Sequence, residues 1–227
     1  MPSPETIFFA LLGGFLPALL WLWFWLKEDR LHPEPRSAII LTFIGGMIAA
    51  TIAYFAERAI FKIGLVFSTT LILWAIAEEV LKLVFAYWTA LRKKICDEPI
   101  DAMIYMLTSA LGFAAFENTL FLIAPIADNN ITKSLLTGNL RFIGASLLHI
   151  AASSIIGAFA AFFFYRKRKA RDMAIAIGLI IAISLHATFN LIINEKKESS
   201  LFIAFIITWA TIVIVLAVFE KVKRLRR

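Results

Sequence analysis

Little in this chain of 227 residues would suit a protein dissolved in water. Charged residues are scarce, 17% of the total, where soluble domains carry about 25%. Cysteine is nearly absent. The single Cys96, in the charged stretch RKKICDEP, excludes a disulfide framework and a cysteine-rich metal site, and reads as an ordinary loop residue. Histidine occurs three times, with no HExxH pair. Internal repeats, low-complexity tracts and long linkers are all missing, so residues 1–227 read as one integral membrane domain with no room for a second. The net charge of +7 does not indicate nucleic acid. The basic residues flank apolar runs instead of forming a soluble basic face, and they suit anionic lipid headgroups.

What is present is apolar: 61% of residues, with a mean hydropathy of +0.83. Seven runs are long enough to cross about 30 Å of hydrocarbon at about 1.5 Å per residue. They lie at about 6–26, 37–56, 64–90, 100–123, 139–165, 172–193 and 201–219. The expected fold is an all-α, polytopic transmembrane helix bundle. The first run lacks a basic leader and ends in Lys27-Glu28-Asp29-Arg30, which reads as a stop and not as a cleavage site. The stretch Glu57–Gly64 (ERAIFKIG) reads as a short interfacial turn. The first, third and fifth loops and the C-terminal tail hold sixteen of the 23 Lys and Arg residues, and the N-terminus and even loops hold five. The positive-inside rule then places the N-terminus outside and the C-terminus in the cytoplasm of a cell membrane.

Few ionisable residues fall inside the spans: Glu78, Glu79 and Lys82 in the third, Glu117 in the fourth, His149 in the fifth and His186 in the sixth. Each charge left in lipid near the bilayer centre costs about 2.5–3.5 kcal/mol on insertion scales. These groups must therefore face inward. Glu78 and Lys82 are four apart and Glu79 and Lys82 three apart, so Lys82 reaches either carboxylate. The adjacent glutamates diverge by about 100° around the helix, so one faces a cavity while the other anchors Lys82 or a neighbouring helix. His186 and Asn190 share one face, Phe113 and Glu117 another, and His149, Ser153 and Gly157 a third. Counted from the outer ends of their spans, the polar groups lie roughly 10–22 Å deep.

In order, Glu78-Glu79-x-x-Lys82, GFAAFEN (Gly112 to Asn118), His149 with Gly157 eight positions on, and His186-x-x-x-Asn190 resemble the PrsW family of intramembrane proteases. The early DRLHPEPRS (Asp29 to Ser37) looks like that family's first cytoplasmic loop, and the resemblance covers about residues 25 to 195. The family is distantly similar to CAAX prenyl endopeptidases and bacteriocin-immunity proteins. Those carry histidine where this chain has Glu117 in Phe113-x-x-x-Glu117. The resemblance implies proteolysis of a single-span, membrane-anchored substrate on the extracytoplasmic side. In this family that is the first cut in an anti-sigma factor during a bacterial stress response.

Peptide hydrolysis needs an activated water, a stabilised oxyanion and a protonated leaving amine. Glu79 or Glu78 is the expected general base, Asn190 the oxyanion donor, and Lys82 and Asn118 the charge or structural partners. His149, His186 and Glu117 have the ligand types of a catalytic zinc site with one open position. The alternative is a metal-free mechanism in which Glu and His polarise water directly. Two other classes compete. A transporter or proton relay also gathers Glu, His and Lys at mid-membrane, but it predicts repeated halves, which the sequence does not show. A non-catalytic scaffold or immunity protein predicts unchanged function once the buried Glu and His are replaced.

Overall fold

A computed structural model of the chain describes residues 2–28, 33–195 and 198–225. The expected first loop begins outside them, at Asp29 to His32. Among the described residues there are helices and no strands. In chain order they are α1 (Pro4–Glu28), α2 (Arg36–Lys62), α3 (Phe67–Ala86), α4 (Pro99–Ala127), α5 (Ile131–Leu140), α6 (Ser146–Phe162), α7 (Arg168–Asn194) and α8 (Glu198–Val222). A π-helical turn, Tyr87–Leu91, prolongs α3, and another, Arg141–Ala145, joins α5 to α6. The seven expected spans thus correspond to seven helical rods. Six of these are long and apolar enough to cross a membrane. The other is α3, whose apolar run is interrupted by Glu78, Glu79 and Lys82. It packs among α2, α4 and α7, and all three charged residues are buried.

The centre of the bundle is α4. Every residue from Pro99 to Ala115 is buried, as expected for a helix apolar on all sides. It starts sharply: Pro99 occupies the first turn, where no backbone donor is needed. The Asp101 carboxylate accepts the Asp97 and Glu98 amides at 2.8 and 2.7 Å. Around it stand α1, α2, α3 and α6. Lipid gives no hydrophobic drive between helices, so contact depends on close packing through small residues. A Cβ on Gly46 would overlap the Ser109 carbonyl, and one on Gly112 would overlap that of Phe43, so the α2 and α4 backbones touch at two levels. Gly157 plays the same part between α6 and α4, where a Cβ would come within 2.8 Å of the Met103 Cα. The first and last helices meet through Trp25 and Phe219, whose rings are 5.3 Å apart.

One expected turn is helix. The stretch from Glu57 to Lys62 continues α2, and the chain turns only at Gly64, with φ +75°. No Gly or Pro precedes Gly64 there, so nothing interrupts the hydrogen-bond ladder, while Gly64 accepts the left-handed backbone at no cost. The Trp74 indole donates to the Glu57 carbonyl at 3.2 Å and ties α3 to this last part of α2.

Candidate active site

The inner stripe of α3 holds Leu71, Ala75, Glu78, Glu79, Lys82 and Ala86, all buried at helical spacing. Lys82 Nζ donates to Glu79 Oε1 at 2.7 Å and lies 3.6 Å from Glu78 Oε2, so both expected pairings form, the first much closer. The ammonium also sits 4.4 Å above the Phe113 ring of α4. Its backbone carbonyl accepts the Ser109 hydroxyl at 3.0 Å.

Glu79 is fully enclosed. Its Oε1 accepts from Lys82 and from His186 Nδ1, each at 2.7 Å, and its Oε2 accepts from Ser153 Oγ at 3.2 Å. Glu78 is different. It lines a cavity, and its Oε2 is buried with no hydrogen-bond partner among the described residues. Two imidazoles face that oxygen, His186 through Nε2 at 3.8 Å and His149 through Nδ1 at 3.9 Å. Each histidine has a carboxylate on its other nitrogen: Glu79 on His186 Nδ1, and Glu117 on His149 Nε2 at 2.9 Å. Lys82 can only donate, so His149 Nδ1 accepts from it at 2.8 Å and the ring proton sits on Nε2, toward Glu117.

The structure therefore brings together Glu78, Glu79, Lys82, Glu117, His149 and His186. The sequence grouped Glu117 with the two histidines as metal ligands. In the structure the carboxylate whose ligand atom lies with theirs, all within 4.8 Å of one another, is Glu78. Glu117 meets the far side of His149 and an ion pair from Arg141 at 2.5 Å. Asn118 accepts from Arg141 Nε at 2.6 Å and donates to Ser146 at 3.0 Å, an anchoring position. Asn190 lines the cavity beside His186.

Two neighbours are absent from the sequence-level site. Arg141 stacks over Phe121 at 3.9 Å and lines the cavity. Glu57 also lines it. Each had a signal. Arg141 is a lone cation at the start of an apolar run. Glu57 continues the small-residue stripe of Gly46, Ala50 and Ala53 along α2.

The cavity has a volume of about 1170 Å³. Glu78, His149, His186 and Phe113 line its inner part, and Trp74, Phe121, Phe189 and Phe205 form an apolar wall. Its outer part is lined by the exposed Arg58, Phe61 and Lys62. It thus reaches the end of the bundle that carries the α2–α3, α4–α5 and α7–α8 connections.

The donors fit a divalent metal ion. A tetrahedral ion with bonds of about 2.0–2.1 Å separates its ligands by about 3.3 Å, roughly 0.5 Å less than the two spacings from Glu78 Oε2 to the imidazoles, 3.8 and 3.9 Å. Glu78 Oε2 lacks a hydrogen bond of its own, and the carboxylates behind both histidines are the usual support of metal-bound imidazole.

Comparison with known proteins points the same way. A family model described as PrsW family intramembrane metalloprotease matches residues 34–219. Protease PrsW of Geobacillus kaustophilus is 22% identical over 198 residues, 85% of this chain and 83% of that protein. The Protease PrsW of Halalkalibacterium halodurans is 23% identical over 203 residues, 87% and 89% of the two chains. That of Bacillus subtilis is 22% identical over 199 residues, 85% and 86%. No solved structure matches. With six membrane-length apolar helices and a family match over most of its length, the chain is a multi-pass membrane protease and belongs to the PrsW family of intramembrane metalloproteases.

Proposed function

We propose that the protein is an endopeptidase that cuts a single-span, membrane-anchored protein near the extracytoplasmic face. The observation that carries this reading is the cavity, which leads from one end of the bundle to a buried Glu/His/His set. The connections at that end are poor in Lys and Arg. The positive-inside rule therefore places it outside, with the N-terminus, and places the basic connections against anionic lipid on the cytoplasmic side. An anti-sigma-factor-like substrate in a stress response is the one the motif resemblance implies.

Glu78 Oε2, His149 Nδ1 and His186 Nε2 would hold a zinc ion. Zinc supplies a Lewis acid for the scissile carbonyl and lowers the pKa of bound water to about 7. The remaining steps fall to the chain. Glu79 is closed off and Glu78 belongs to the ligand set, so Glu57 takes the proton from the attacking water at its carboxylate and returns it to the leaving amine. Asn190 donates its side-chain amide to the developing oxyanion. Glu79 and Glu117 fix the orientation of the two imidazoles. The aromatic wall receives the apolar residues flanking the cut.

The test is cleavage of single-span substrates by purified protein in detergent, with and without chelator. Wild type is expected to cut, and chelator to stop it. Glu57→Gln is expected to keep its metal and lose about 10²–10⁴-fold in kcat, while Glu78→Gln loses both metal and activity. Normal cleavage by Glu78→Gln would overturn the assignment.

A further inference from the structure

We infer that Lys82 and a divalent metal ion are alternative partners of His149 Nδ1, so that the ammonium sets how tightly the site takes the ion. The inference rests on the metal-holding reading above and adds a residue to it. Lys82 is fully buried, and its Nζ lies 2.8 Å from His149 Nδ1, the same nitrogen that faces Glu78 Oε2. An imidazole nitrogen has a single in-plane lone pair, which either accepts one hydrogen bond or binds one metal ion. The ring's other nitrogen is no substitute, because it faces Glu117.

The rest of the set is left to the ion. Lys82 Nζ stands 3.6 Å from Glu78 Oε2, beyond hydrogen-bonding distance, and that oxygen has no other hydrogen-bond partner among the described residues. His186 Nε2 faces the same oxygen from 3.8 Å, too far for a hydrogen bond. One donor of three is thus held by the side chain. A divalent ion placed among the three would also stand close to the ammonium and be repelled by it. On binding of the ion, Nζ leaves His149 and keeps Glu79 Oε1, its shortest partner at 2.7 Å. Because Glu79 also holds His186, Lys82 stays tied to the ligand set after it moves. Lys82 is a positioning residue, acting through His149 and Glu79.

The test is titration of the full-length protein in detergent with zinc and with cobalt(II). It reads bound metal by elemental analysis and coordination by the visible spectrum of cobalt. Lys82→Met and Lys82→Gln are expected to bind about tenfold tighter than wild type, or more, with unchanged stoichiometry. Adding His149→Gln to either is expected to abolish that gain. A Lys82→Met protein that folds only when metal is supplied also supports the competition. Should it fail to fold under any condition, Lys82→Gln, which keeps a donor for Glu79, decides the question. Equal or weaker metal binding by folded Lys82→Gln overturns the competition and leaves the metal reading standing. No binding by wild type or any variant overturns both.

Discussion

A fully buried carboxylate with both oxygens already accepting hydrogen bonds is out of a substrate's reach. Glu79 is in that position, held by Lys82, His186 and Ser153. Removing its charge strands a buried lysine, and breaking a buried pair in this way costs about 3–5 kcal/mol. Glu79→Gln is therefore expected to lower the midpoint of thermal unfolding in detergent by several degrees. In metal-free protein, Glu78→Gln, at an Oε2 with no hydrogen bond to lose, is expected to leave that midpoint nearly unchanged. An equal loss in both would mean that the two glutamates share one structural role. Cys96 follows from burial as well. It lies in the connection before α4, as expected, but is buried there, and burial, with Asp101 adding to it, pushes its thiol up to about 12. Thiol reagents at pH 7.5 are expected to modify it slowly in the folded protein and at an ordinary rate after unfolding. Fast labelling of the native protein would contradict this.

At the scale of elements, much of α3 was legible. The three- and four-residue spacings of Glu78, Glu79 and Lys82 fix which of them meet, whatever the neighbours. Which glutamate joins the histidines was not legible, because it depends on how α3 is rotated against α4, α6 and α7. That rotation is set by packing at Ser109, Phe113 and Ser153, contacts that lie 27 to 74 residues away in sequence. The turn expected at Glu57 was misread for a local reason: charged residues near a membrane surface suggest a loop, yet they are good helix formers, and only Gly64 ends α2. This hid Glu57 from the sequence-level site. The α2–α4 contact supplies a further prediction. Gly112→Leu would drive a side chain into the Phe43 backbone and is expected to destabilise the protein by more than the about 1–3 kcal/mol usual for overpacking. A stability within 0.5 kcal/mol of wild type, roughly the scale of a neutral surface change, would show that the helices separate freely.

For the whole molecule, the number of rods and the all-helical class were readable from composition and run length alone. A path to the buried site was not, because a cavity arises from how seven helices, α2 to α8, diverge. Orientation is open to direct measurement. In a Cys96→Ala background, a cysteine replacing the exposed Ser68, in the first turn of α3, is expected to react with an impermeant reagent added outside intact cells. One replacing the exposed Lys167, between α6 and α7, is expected to react only after the cells are opened. The reverse pattern would place the cavity on the cytoplasmic side.

The last helix contributes Leu201 and Phe205 to the cavity wall and meets α1 through Phe219 and Trp25. The residues of the Glu/His/His set are all synthesised before it. A chain still emerging from the ribosome therefore carries the full complement of reactive groups without the enclosure that gives them a substrate path. Completion of the cavity wall therefore waits for α8, the helix that also packs against α1.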